Sequence, residues 1–327
     1  MAAAYVSAVA QLKREGFKPS RDIVLAFTSD EELGAGPTNG MLWLINNQRP
    51  LIDAEFAINE GGFGLLVNGK AQQNQIQTSE KVIAYYQLEI RDPGGHSSRP
   101  TKSNPIHKLS EALARLAAYD FPVMLNDGTR AWYERSAQFE SGQRAADMRA
   151  GAQNPPDPGA VARLSVDPYH NALLRTTCAA TQIEGGHARN ALPQVARATV
   201  NCRILPNHPR ADVEKTLKEV INNDQISVKL LLKAWESPPS PLHPDLFGVA
   251  EKLTQAMWPG VPVVPAMGTG ATDSRYVRNV GIPVYGVSGL FLDTNDVRAH
   301  GRDERAGVKE MYEFREFMYR FIKAVAQ

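Results

Sequence analysis

The stretch Lys81-Val-Ile-Ala-Tyr-Tyr-Gln-Leu-Glu-Ile90 alternates apolar and polar side chains with the period of two that marks a half-exposed antiparallel strand. The residues before it obey a different rule. Ala2 to Glu15 are good helix formers with Val6, Val9 and Leu12 on one face, and Gly16 is placed as the stop. Asp22-Ile-Val-Leu-Ala-Phe27 is a continuous apolar run of the kind that forms a strand buried on both faces. A helical stretch from Gly40 to Asn47 and a short run, Ala54 to Ile58, follow. That order of helix, strand, helix, strand belongs to a doubly wound α/β sheet. The change of period near Glu80 therefore marks a second lobe. Its order is the Lys81–Ile90 strand, a helix over Asn104–Tyr119, strands around Leu173–Ile183 and Ala196–Ile204, a helix over Arg210–Asn222 and a strand at Ile226–Lys233. This is the ferredoxin-like order.

Between its first helix and second strand, residues 125–168 are polar, contain GAQNPPDPG and read as a mobile loop with some helix. The Pro-rich segment Ser237-Pro-Pro-Ser-Pro241 returns the chain to the first lobe. There Pro262–Ala266 and Ile282–Val287 read as buried strands and Val308–Ala326 as a closing helix. The expected fold is α/β. A doubly wound, mostly parallel-sheet lobe spans 1–79 and 238–327, and a ferredoxin-like α+β lobe spans 80–237. A length of 327 residues suits two lobes.

With 36 basic and 35 acidic side chains, the chain has no basic field to attract nucleic acid or an anionic membrane. It also lacks an apolar run long enough to cross a bilayer. The start, MAAAYVSAVAQLKREG, lacks the basic flank and apolar stretch of a signal peptide, which points to the cytoplasm. Cys178 and Cys202 are too few for a disulfide scaffold or a cysteine zinc ribbon. Their strands should pair about a turn near Asn190 and bring them nearly opposite. In a cytoplasmic chain the expectation is nevertheless two free, inert thiols.

The chemistry concentrates in Thr28-Ser-Asp-Glu-Glu-Leu-Gly34, three consecutive carboxylates after the expected buried strand, where open α/β sheets place their sites. A solvated acidic turn is the plain reading. A buried strand feeding the triplet argues instead for a crevice, where cations relieve the repulsion, and oxygen and imidazole donors suit zinc, manganese or cobalt. Glu60 ends the next strand on a glycine turn, and His300 lies in a polar loop before the last helix. The turn Gly268-Thr-Gly-Ala-Thr-Asp273 exposes backbone N–H groups suited to an oxyanion. The glycines of Gly34-Ala-Gly36-Pro-Thr-Asn-Gly40 roughly imitate a dinucleotide fingerprint, but the spacing is wrong and the adjoining carboxylates would repel a pyrophosphate.

TSDEELGAG, NEGG, GGHSSRP, ARNALP to NCRILP, GTGATDSR and AHGRDE, in that order, resemble the co-catalytic dizinc exopeptidase and aminoacylase family, which includes acetylornithine deacetylase, succinyl-diaminopimelate desuccinylase, glutamate carboxypeptidase and aminoacylase. The resemblance spans essentially the whole chain and looks most like the carboxypeptidase and N-acyl-amino-acid hydrolase group. It implies cleavage of an amide bond in an N-acyl amino acid or small peptide with a free carboxylate. It makes Glu31 the general base and Glu32 and His300 ligands of one zinc, with Glu60 on a second. His96 would steady the oxyanion, Asn190 and Arg203 would hold the substrate, and Gly270 would offer a backbone N–H. It implies a homodimer through the inserted lobe. The family's upstream His-x-Asp segment, which supplies a histidine ligand and the bridging aspartate, is not found in this sequence. The expectation is that this segment and the first strands lie outside the chain, so that the chain holds one zinc or none. The competing reading is a binding or dimerisation remnant without catalysis.

Overall fold

The computed structural model describes residues 1–33 and 36–327. Gly34 and Ala35 of the glycine-rich turn lie outside the described residues. The chain divides into two units. The first comprises Met1–Glu80, Leu125–Leu164 and Ser237–Gln327, and the second Lys81–Met124 and Ser165–Glu236.

The first unit is built on a mixed sheet. Strands Ala57–Asn59, Val284–Gly286, Lys70–Glu80, Gly64–Val67 and Phe291–Asp293 lie in that order, and Val263–Gly268 also pairs with Lys70–Glu80. The Ala57–Asn59, Val263–Gly268 and Phe291–Asp293 strands run parallel to their partners, whereas Lys70–Glu80 runs antiparallel to Val284–Gly286 and Gly64–Val67. The Ala2–Arg14 helix ends as its sequence requires. Gly16 takes a positive φ of 72°, its N–H reaches Lys13 O, and Phe17 N–H reaches Leu12 O, the paired bonds that close a helix on glycine. The helix packs Ala4, Ala8 and Leu12 into a core with Phe314, Phe317 and Phe321 of the closing helix, Val308–Val325.

Three expectations for this unit are corrected. Residues 22–27 form no strand, and Val24, Leu25 and Phe27 are exposed, because among the described residues no strand pairs with this run on either edge. Residues 125–164, expected as a mobile loop with some helix within the second lobe, are mostly three helices, Asp127–Ser136, Gly142–Gly151 and Pro158–Leu164, and group with the first unit. Asn126 starts the first of them by a reciprocal cap with Thr129. The long Lys70–Glu80 strand was not anticipated, because its polar sequence hides its burial.

The second unit has the ferredoxin-like arrangement. Its antiparallel sheet runs Thr177–Gly185, Val195–Ile204, Val82–Arg91, Ser227–Leu230. Helices Pro105–Ala117 and Arg210–Ile221 contribute Leu109, Leu116, Val213 and Leu217 to its core with Leu88, Ile90 and Val200. Alternate residues of Val82–Ile90 are buried, as the period of two demands. Residues 168–174 are helix, where the sequence suggested that a strand begins at 173. Cys178 and Cys202 stand directly opposite in register with Cα atoms 4.0 Å apart and are joined as a disulfide. This corrects the expectation of free thiols, which rested on compartment and not on the pairing.

Candidate active site

In the first unit, Glu60 follows the Ala57–Asn59 strand and precedes Gly61 and Gly62, both at positive φ. A Cβ on Gly62 would run into the Gly286 carbonyl, so the chain turns there against the neighbouring strand only because the residue is glycine. Glu31 and Glu32 lie in the turn after residues 22–27, and Asp30 enters that turn with φ at 62°. Burial lifts the Glu31 carboxyl from 4.5 to about 7, and Glu60, Asp273 and Glu32 add like-charge repulsion. Burial raises Glu60 as well, reinforced by Glu32, Asp273 and Glu80. Tyr5 completes this neighbourhood: its hydroxyl donates to Asn59 O at 3.5 Å, and burial with the Glu60 charge holds its phenol protonated. Four carboxylates thus share one region of the unit, with Arg275 the opposing charge on Glu31 and Asp273.

Asp273 is buried and accepts from Asn39 Nδ2 at 2.9 Å, while Asn39 Oδ1 caps the Gly40–Asn47 helix through Leu42 N–H, also at 2.9 Å. His300, at φ 62°, sets Nδ1 3.7 Å from Glu32 Oε2, both side chains being open to solvent. Two donors bound about 2 Å from one tetrahedral ion are roughly 3.3 Å apart, so this carboxylate and imidazole fit a shared divalent cation. Among the described residues no group of three or more His, Cys, Asp or Glu side chains forms a complete cage. The donors present fit one ion in part and do not make up two full sets. Gly270 lies in an exposed turn where a Cβ would meet nothing within 4 Å.

In the second unit, His96 belongs to the Gly95–His96 strand, paired with Ala191–Leu192. Its Nδ1 accepts from Ser98 N–H at 3.2 Å and lies 2.8 Å from Ser98 Oγ. An Nδ1 that accepts a backbone N–H leaves the proton on Nε2, so the neutral ring offers an outward N–H donor. Ser97 N–H donates to the Asn190 carbonyl at 2.9 Å, which ties the two predicted residues together. Arg203 is half-buried on the Val195–Ile204 strand, opposite Ile83 and Thr177.

Reading the sequence missed Lys81, Glu80, Arg278 and the holding role of Asn39. Lys81 is buried, gives its ammonium to Arg175 O at 2.8 Å and Thr177 Oγ1 at 3.4 Å, and is pushed down to about 7 by burial and then by Arg203. A charged residue at each end of a change of lobe was the available signal.

Residues 78–229 match the peptidase dimerisation domain of the M20 family. The chain is 29% identical over 330 residues to probable carboxypeptidase S-like 2 of Dictyostelium discoideum, covering 98% of this chain and 62% of that protein. It is 26% identical over 333 residues to the mouse N-fatty-acyl-amino acid synthase/hydrolase PM20D1, covering 98% and 65%. The chain thus spans less than two thirds of the length of these relatives. Its fold is similar to that of the M20 metallo-carboxypeptidase Sso-CP2 from Sulfolobus solfataricus, with a TM-score of 0.63 at 17% identity over 98% of this chain and 74% of that one. No helix among the described residues is long and apolar enough to cross a membrane. Residues 78–229 thus carry a peptidase dimerisation domain of the M20 family, and over nearly its whole length the chain is similar to carboxypeptidase S-like and N-fatty-acyl-amino acid hydrolase proteins.

Proposed function

We propose that the protein hydrolyses the amide bond of an N-acyl amino acid or small peptide with a free carboxylate. The observation that carries this reading is the meeting of Glu32 Oε2 and His300 Nδ1 at 3.7 Å beside Glu31, whose carboxyl is pushed up to about 7 by burial and by Glu60, Asp273 and Glu32. A general base works best with a pKa near the operating pH, where it can both take and return a proton. Glu31 takes the proton from the attacking water and hands it to the leaving amine. Glu32 and His300 would hold one divalent ion, zinc by donor type, and Glu60 would serve a second. When bound, such an ion supplies Lewis acidity to the carbonyl and to water. His96 Nε2–H and the Gly270 N–H donate to the oxygen that becomes negative. Arg203, a planar fork, takes the free carboxylate beside Asn190.

A homodimer formed through the inserted lobe completes the proposal. The names of the relatives support N-acyl amino acids and peptides alike as substrates. The test is hydrolysis of N-acetyl-L-phenylalanine and N-dodecanoyl-L-phenylalanine, each with zinc and after chelation. Zinc-dependent release of phenylalanine from either supports the reading, and release from neither overturns it.

A further inference from the structure

Thr272, Asp273 and Ser274 are consecutive, and a different side chain holds each. Thr272 gives its backbone N–H at 2.9 Å and its hydroxyl at 3.0 Å to one oxygen, Glu80 Oε2. Asp273 is held by Asn39, and Ser274 Oγ lies 3.0 Å from Asn59 Nδ2. Of these anchors Glu80 is the deepest, fully buried at 0% exposure. Its other oxygen meets Arg278 Nη1 and Ser237 Oγ, both at 3.2 Å. Arg278 is itself buried and donates from Nη2 to Val284 O at 2.9 Å and from Nε to Ser240 Oγ at 3.2 Å. Glu80 is the last residue before the chain first leaves the first unit, and Ser237 the first on its final return.

A buried ion pair is a weak stabiliser, because desolvating two charges offsets their attraction and apolar replacements are often equally stable. Its contribution here is geometric. One carboxylate oxygen that accepts both the N–H and the O–H of Thr272 fixes that residue in place and in orientation. On the other side of the same turn, a Cβ on Gly270 would meet nothing within 4 Å.

We propose that Glu80 and Arg278 are positioning residues that clasp the Gly268–Asp273 turn through Thr272 and so hold the Gly270 N–H in line with the substrate carbonyl. This rests on the hydrolase reading above. Glu80 touches neither substrate nor ion and acts on the turn through Thr272.

Two double variants separate positioning from stability. E80M/R278M removes both charges and the acceptor for Thr272, whereas E80Q/R278M removes both charges and keeps an amide oxygen as acceptor. Both lose the Arg278 bonds equally. With N-acetyl-L-phenylalanine, E80M/R278M should lose about 10²-fold in kcat, the cost of one misplaced oxyanion donor, while KM changes little. E80Q/R278M should recover to within about fivefold of wild type. In hydrogen exchange of the full chain, the 268–276 peptide should lose protection in E80M/R278M and keep it in E80Q/R278M. Equal turnover or equal exchange in the two double variants overturns the clasp. T272A leaves the buried pair intact and covers the case in which E80M/R278M does not fold. It should raise exchange of the same peptide, and unchanged exchange overturns the proposal. A wild type that hydrolyses no N-acyl amino acid overturns the hydrolase reading, and the exchange comparison then decides the clasp on its own.

Discussion

Lys81→Met isolates a charge that the second unit keeps buried at a cost. Lys81 is 1% exposed, and its ammonium is pushed from 10.5 to about 7, first by burial and then by Arg203. At 1.36 kcal/mol per decade this corresponds to about 5 kcal/mol. The direction follows from linkage. Below about 7 the folded chain carries the buried charge and the whole penalty is present. Between about 7 and 10.5 the unfolded chain holds a proton that the folded chain has released, so stability rises by up to about 1.4 kcal/mol per pH unit. Above that window both states are neutral and the penalty is gone. Methionine never pays it, but leaves Arg175 O and Thr177 Oγ1 without the ammonium, a loss of about 1–3 kcal/mol. Near pH 6.5 the variant should therefore be more stable than wild type by about 2–4 kcal/mol, and near pH 9.5 about 3 kcal/mol of that difference should have disappeared. Urea unfolding of both proteins across this range measures it, and the remaining titrations cancel in the difference. A variant minus wild-type difference that stays constant with pH would refute the assignment of a neutralised, buried lysine.

The disulfide closes a sequence separation of 24, so denatured, unreduced protein should show no free thiol, and reduction should lower stability by about 3 kcal/mol in chemical unfolding. Two titratable thiols would contradict the pairing. If the inserted lobe forms the dimer and His96 serves the partner's site, mixed His96→Ala and Glu31→Gln subunits should regain part of the activity that each lacks alone. A strictly monomeric protein by light scattering would end that idea.

How far the fold was legible depended on whether a local pattern carries its own evidence. The Val82–Arg91 strand did, since alternation along one strand requires one buried face and one half-open face. Gly16 also did, because few residues but glycine close a helix at positive φ. Residues 22–27 did not: an apolar run specifies a buried strand only if neighbouring strands cover it, and periodicity says nothing of neighbours. The Lys70–Glu80 strand failed in the opposite sense. Its buried polar groups are paid for by distant partners, with Asn74 reaching Thr254 at 2.9 Å and Glu80 reaching Arg278.

The site divides along the same line. Glu31, Glu32, Glu60 and His300 could be singled out because a cluster of donors in short motifs is itself a chemical signal, and the turn at Glu32 does come beside His300. Asp273 was visible only as the end of a glycine turn. Its importance, like that of Asn39, Glu80 and Arg278, lies in bonds to residues far away in the chain, which no spacing reveals.

The central claim is that Glu31 moves the proton and does not hold the ion. It is tested most directly by comparing zinc content and turnover of N-acetyl-L-phenylalanine in wild type and Glu31→Gln. Glu31→Gln should retain the wild-type zinc content while kcat falls by about 10²–10⁴-fold, the usual contribution of a positioned base. Unchanged turnover in Glu31→Gln, or loss of zinc in step with activity, would contradict it.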